Sequence, residues 1–253
     1  LSRPDKKDEI LDTCLMAGRI MIENGSEMYR VEDTMNRIAQ NAGEKDVVVF
    51  TTPMGLFMGI KNKHYVQLRA IQSRTMNLEK VSRVNSLSRE FAQHQINLNQ
   101  LHHELELVDR NTPVFPFWEQ VVAAAIVSCT LMIIFAGEYD WIDMPLCAVV
   151  GAIGYAIFYY LNLWSNVRFV SEFMASFILG LAAFVGVHLG LGHNINNIII
   201  GAVMPLVPGV AITNAFRDLL AGHLLTGISR ATEAVLSACA IGTGIALIFR
   251  FFV

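Results

Sequence analysis

The chain has 253 residues, of which 53% are hydrophobic and 16% charged, with a mean hydropathy of +0.44. Soluble domains of this size carry about 25% charged residues, so the composition argues against a wholly soluble globular enzyme. A net charge of −3 leaves no basic surplus for nucleic acid. The charge is also unevenly spread. Residues 1–112 hold 15 Lys+Arg and 15 Asp+Glu, whereas residues 113–253 hold four and seven. This division predicts a small α+β cytosolic domain over 1–112, followed by a membrane α-helical bundle of five transmembrane helices over 113–253.

The N-terminal stretch Leu1–Asp12 is charged and lacks the apolar core of a signal peptide, so the first domain is expected in the cytoplasm. Helical periodicity begins with Ile10, Cys14, Ala17 and Met21. Gly25 can close this helix and Ser26 can cap the next, with Glu27 near its positive end. Met28, Val31, Met35, Ile38 and Ala42 mark a second helix. Two β-rich runs follow, Val47–Ile60 (interrupted at Pro53 and Gly55) and Tyr65–Ile71, linked by Lys61-Asn62-Lys63-His64 as a hairpin. In the second run Val66, Leu68 and Ala70 alternate with Gln67 and Arg69, the pattern of a half-buried strand with its apolar side inward. Helical patterns over Leu78–Phe91 and Leu98–Val108 complete an α-α-β-β-α-α order.

Chemistry is sparse in this domain. His102-His103-Glu104 lacks the i, i+4 spacing of a helical metal site and reads as a solvated face. Cys14, Cys129, Cys147 and Cys239 are scattered, without metal-ligand spacing, and read as small buried hydrophobes. No cofactor, metal site or catalytic residue is predicted. The dense run Gly25–Asp33 places Glu27, Arg30 and Glu32 over one corner, either as a functional motif or as a helix start with i, i+3 ion pairing.

Five apolar segments qualify as spans, at about 118–136, 145–164, 169–191, 195–216 and 231–249. Pro113 and Pro116 introduce the first. The loop after it carries Glu138, Asp140 and Asp143 and no base, whereas Arg168, Arg217 and Arg230 fall in the second and fourth loops. The positive-inside rule then puts the N-terminal domain in the cytoplasm and the C-terminus outside. Glu172, one turn after Arg168, is expected to pair with it. Gly151, Gly154, Gly180, Gly186, Ala234, Ala238, Gly242 and Gly244 suit close helix packing.

The fourth segment contains Pro205 and Pro208, followed by Gly209. Each proline removes a backbone donor, so this helix must kink or break. Broken helices at the midplane are a recurring substrate-site device of transporters. Beyond the break lie Asn214, Arg217, Asp218, His223, Arg230 and Glu233. Asp218 and Glu233 are expected to pair with Arg217 and Arg230, and His223 can titrate near neutral pH and relay protons.

Gly25-Ser26-Glu27-Met28-Tyr29-Arg30-Val31-Glu32-Asp33, together with Pro205-Leu206-Val207-Pro208-Gly209, Asn214-Ala215 and Asp218–His223, resembles the bacterial threonine/serine exporter family across essentially the whole chain. The length is similar to the split form, in which such a subunit works with a second, shorter membrane protein. The resemblance implies a secondary exporter subunit in the bacterial inner membrane, moving threonine and serine. Dicarboxylates such as succinate are the alternative substrate in that family. Substrate binding is expected at Pro205, Pro208, Gly209, Asn214 and Arg217, with the carboxylate near Arg217 or the half-helix N-terminus after Pro208. Gating or proton relay is expected at Asp218, His223, Arg230 and Glu233, and Glu27, Arg30 and Glu32 form the N-domain motif. A competing reading is a membrane-anchored hydrolase acting through Glu27, Glu32 and His64, and a third is a non-transporting accessory subunit.

Overall fold

The computed structural model describes residues 6–61, 65–72, 75–112, 114–137, 139–164 and 169–252. Asn62, Lys63, His64, Pro113, Glu138 and Arg168 lie outside the described residues, as do the expectations placed on them. The chain divides into two compact units: 1–114 with 210–231, and 115–209 with 232–253.

The first unit opens with α1 (Lys6–Glu23) and α2 (Met28–Asn41). An antiparallel sheet follows, in the order β1 (Val47–Thr52), β2 (Gly55–Ile60) and β3 (Val66–Ala70). Then come α3 (Leu78–Ala92) and α4 (Leu98–Asn111). Ile10, Leu11, Leu15, Ile20 and Met21 from α1 are buried with Met28, Met35 and Ile38 from α2. Leu56 and Met58 of β2 and Leu101 and Leu105 of α4 complete this core. Alternation along β2 turns Leu56 and Met58 inward and leaves Phe57 outward.

The register reverses the expected facing of β3. Phe50, Phe57 and Leu68 stand in one row, and Phe50 and Phe57 place their ring centroids 6.0 Å apart. Leu68 is 59% and Val66 70% exposed, so the apolar side of this strand faces outward. Its other side meets the polar start of α1, where Gln67 donates to Asp8 at 3.2 Å and Arg69 pairs with Asp12. An edge strand over a helix terminus sees carboxylates instead of core, and those carboxylates select the polar side.

The second unit contains α5 (Phe117–Ala136), α6 (Asp143–Trp164), α7 (Val170–His188), α8 (Ile195–Val203) and a 3-10 turn at Met204–Leu206. Its core joins Met132, Leu146, Cys147, Val150, Leu179, Ile198 and Ala202. Small residues set the helix spacing. A Cβ on Gly151 would lie 2.0 Å from Ser128 Oγ, and one on Gly244 would lie 2.7 Å from the Phe173 carbonyl oxygen. Gly154, Gly180 and Gly186 are likewise closely approached, but Gly242 has nothing within 4 Å and serves no such contact. Cys14 and Cys147 are buried as expected, whereas Cys239 is exposed on the last helix. Asp143 is not a loop acid. It is fully buried at the start of α6, where its carboxylate accepts from the backbone N–H groups of His193 (2.6 Å) and Asn194 (2.9 Å). Glu172 accepts from Ser237 Oγ at 3.5 Å.

The fourth apolar segment is discontinuous. After the 3-10 turn Val207 is extended (φ −65°, ψ 128°), as steric conflict with a following proline requires. A new helix, α9, begins at Gly209 and runs to Leu220. The Ala221–His223 turn follows, and α10 spans Leu224–Phe251. Because α10 starts at Leu224 instead of near residue 231, Arg230 lies inside a helix and not in a loop. Four helices (α5, α6, α7 and α10) are long and apolar enough to cross a membrane, and the pair Ile195–Leu206 with Gly209–Leu220, bent by 60°, is either a broken fifth span or a re-entrant loop.

Candidate functional site

The site forms within the first unit, where the turn joining α1 to α2 meets α9 and the first turns of α10. Gly25 adopts φ +91°, which lets Ser26 N–H bond back to the Met21 carbonyl at 3.0 Å and ends α1. The next helix then starts abruptly, and its first N–H groups need acceptors. Ser26 does not provide the expected cap, since its hydroxyl donates to the Glu27 carbonyl at 3.4 Å. The acceptor comes from far along the chain: Met28 N–H donates to Asp218 Oδ1 at 2.9 Å. Here a carboxylate sits where the helix dipole favours negative charge.

Three side chains of 210–231 hold this turn. Asn214 Nδ2 donates to the Gly25 carbonyl at 2.8 Å, and Arg230 Nη2 donates to the Ser26 carbonyl at 2.7 Å. Arg230 Nη1 also donates to Asp218 Oδ2 at 2.8 Å. The Asp218 side chain is fully buried and that of Arg230 is 12% exposed, so the pair is largely withdrawn from water. α9 itself ends in a left-handed cap at Gly222 (φ +89°), with His223 N–H bonded to the Asp218 carbonyl at 2.9 Å. That cap fixes Asp218 and His223 on adjacent turns.

A second charge cluster borders the first. Arg217 Nη1 donates to Glu27 Oε1 at 2.5 Å, and Arg30 Nη1 to Glu27 Oε2 at 3.3 Å. Glu27 is 6% exposed, but Arg217 and Arg30 are 56% and 42% exposed. Burial pushes the Glu27 pKa up; its own backbone N–H, Arg217 and Arg30 outweigh this and hold it below the ordinary carboxylate value. Glu32 accepts from Thr51 Oγ1 at 2.6 Å, with His223 Nδ1 3.8 Å from the same oxygen.

The ion pairs thus run differently from the sequence expectation. Arg217 pairs with Glu27 instead of Asp218, and Asp218 takes Arg230. Chain-local reasoning pairs neighbours on one helix, but folding brings Glu27 within reach. Glu27, Arg30, Glu32, Asn214, Arg217, Asp218, His223 and Arg230 are all brought together in this unit. Pro205, Pro208 and Gly209 stand at the helix interruption in the second unit, and Glu233 lies there on α10. Gly209 begins α9 at the edge of the second unit, whereas Arg217 lies eight residues further on in the first. Thr51 was not anticipated; it lies on β1, the strand that follows the helix bearing Glu32. Asp143 was missed too, although an acid at the head of an apolar helix signals a bound turn.

A cleft of about 560 Å³ also occurs in this unit, lined by Asp8, Glu9, Asp12, Thr13, Gln67 and His102 among others. Its three carboxylates oppose an anionic ligand, and it includes none of the expected site residues. Cys14 is buried, which raises its thiol pKa and makes it a poor nucleophile. Among the described residues no group of His, Cys, Asp and Glu is placed to hold a metal ion.

Four helices long and apolar enough to cross a membrane, an interrupted apolar pair and an α+β region with a buried polar cluster are the features of a multi-pass membrane protein. The chain matches the ThrE family model, described as "putative threonine/serine exporter", over residues 12–252. It belongs to that family. No curated protein and no solved structure matches it.

Proposed function

We propose that the chain is a non-enzymatic subunit of a secondary exporter that moves threonine and serine out of the bacterial cytoplasm. The observation that carries this reading is the meeting of two motifs 190 residues apart, through Glu27–Arg217 and Met28–Asp218. Arg217 is the proposed carboxylate-binding group, with Asn214 beside it and Pro205, Pro208 and Gly209 supplying the helix interruption. Asp218, His223, Arg230 and Glu233 are the proposed gating or proton-relay groups, and Glu27, Arg30 and Glu32 couple residues 1–112 to them. A dicarboxylate such as succinate is the second reading, favoured by two half-exposed guanidiniums sharing one carboxylate. The proposed setting is the inner membrane, with residues 1–112 cytoplasmic, the spans within 113–253, the C-terminus outside and a second, shorter membrane subunit as partner.

Efflux of labelled threonine, serine and succinate from cells carrying the chain, with and without a partner subunit, tests this reading. Arg217→Ala should abolish efflux of the true substrate at unchanged membrane insertion. Retained efflux with that substitution would refute the assignment of Arg217. A purified-protein hydrolytic activity lost in Glu27→Ala would favour the hydrolase reading instead.

A further inference from the structure

Arg217 already holds a carboxylate, and that carboxylate belongs to the protein. Glu27 is nearly buried, whereas the guanidiniums of Arg217 and Arg30 that converge on it are each about half exposed. One negative charge shared between two positive ones leaves a surplus of +1 on the accessible side. Arg217 contacts Glu27 through Nη1, and a guanidinium has further N–H donors in a planar fork. We propose that Glu27 is an internal stand-in for the substrate's carboxylate: an incoming carboxylate takes over Arg217, with Arg30 as second arm, and releases Glu27.

This inference rests on Arg217 being the carboxylate-binding group. The exchange replaces one carboxylate–guanidinium contact by another and leaves no cation without a partner, while the released Glu27, 6% exposed in its paired position, must turn towards water. Release of Glu27 would be sensed at the α1–α2 turn, because Glu27 adjoins Met28, whose N–H is held by Asp218. Arg230 grips the same turn at the Ser26 carbonyl. Occupation of Arg217 by substrate is thereby converted into loosening of the first turn of α2. An internal competitor lowers apparent affinity by the fraction of molecules in which it is engaged. Removing its charge should restore that affinity.

The test is equilibrium binding of radiolabelled threonine and radiolabelled succinate to the purified full chain in detergent, with threoninol as the carboxylate-free control. Glu27→Gln should tighten binding of the recognised carboxylate at least tenfold, and Glu27→Asp by less. Arg217→Ala should abolish binding, Arg30→Ala should weaken it several-fold, and threoninol should be indifferent to all four. Unchanged or weaker binding in Glu27→Gln, with Arg217→Ala still abolishing it, overturns the exchange but leaves Arg217 as the binding group. Wild-type binding in Arg217→Ala overturns both. Hydrogen exchange on the unsubstituted chain provides a readout independent of folding defects. Amides of 27–30 should exchange faster when the recognised probe saturates the protein; slower exchange there overturns the proposal.

Discussion

Arg230 divides one guanidinium between the Asp218 carboxylate and the Ser26 carbonyl, and that division sets its expected mutational behaviour. Arg230→Ala leaves the buried Asp218 carboxylate without its guanidinium, with the Met28 N–H still donating to it, which costs about 3–5 kcal/mol. Arg230→Lys can keep the charge contact but loses the fork, so its loss of stability should be smaller. Denaturant unfolding in micelles measures both, and equal losses would show that the charge contributes little. Glu27 gives the pH dependence. Its folded pKa lies below the ordinary value, so its stabilising contribution is complete above the unfolded pKa of about 4.3. That contribution is lost as pH falls through the lower folded value. Stability of the wild type should therefore fall more steeply than that of Glu27→Gln as the medium is acidified below about pH 5. Parallel acid profiles would exclude this linkage.

At the scale of elements, glycines divide by what faces them. A methyl group at Gly151 would meet Ser128 Cβ at 2.7 Å as well as Oγ at 2.0 Å. Helix backbone carries both residues, so neither side can yield easily. Gly151→Ala should cost about 1–3 kcal/mol through overpacking. Gly242→Ala meets nothing within 4 Å and should leave the melting temperature unchanged or slightly raised, since alanine favours helix. The sheet supports a parallel contrast. Leu56 is fully buried and Leu68 is 59% exposed, so Leu56→Ala should cost about 2–5 kcal/mol. Leu68→Thr should stay within about 0.5 kcal/mol. A large loss at Leu68 would reveal a covered sheet face in the intact protein. Alternation was legible in β3, but the choice of inward side was not, because Asp8 and Asp12 on α1 select it from a distant part of the sequence.

For the whole molecule, the first unit is assembled from two stretches far apart in the chain, 1–114 and 210–231. Its polar contacts between these stretches are concentrated at one turn. Asp218→Ala removes the acceptor of Met28 N–H and a partner of Arg230 at once. Hydrogen exchange should show lost protection at Met28 and neighbouring amides of α2, while the distant α3 and α4 keep theirs. Loss spread evenly over all helices would mean that this contact stabilises the unit as a whole instead of pinning one turn. Ser26 and Glu27 were recognisable in the sequence as a helix start, yet the residue that caps it lies 190 positions away.

The sequence by itself determined most of the elements, although the first β-rich run folds as two strands, β1 and β2, and α10 begins at Leu224. Hydrophobic periodicity located α1 to α4, because each period reflects a local choice between one buried face and one exposed face, and length with apolarity marked the candidate spans. Pro205 and Pro208 determined where the fourth apolar segment breaks, since a missing N–H and a steric conflict act within a few residues. The motifs at Gly25–Asp33 and Pro205–His223 carried the resemblance to the family. Only tertiary structure decided the pairing of charges, the facing of β3 and the cap of α2. Each of these depends on which distant group arrives to satisfy a buried donor or carboxylate, and the desolvation cost that enforces a match depends on burial by the whole fold. Arg217 could be read as a charge near a helix end; its contact with Glu27 required the folded chain.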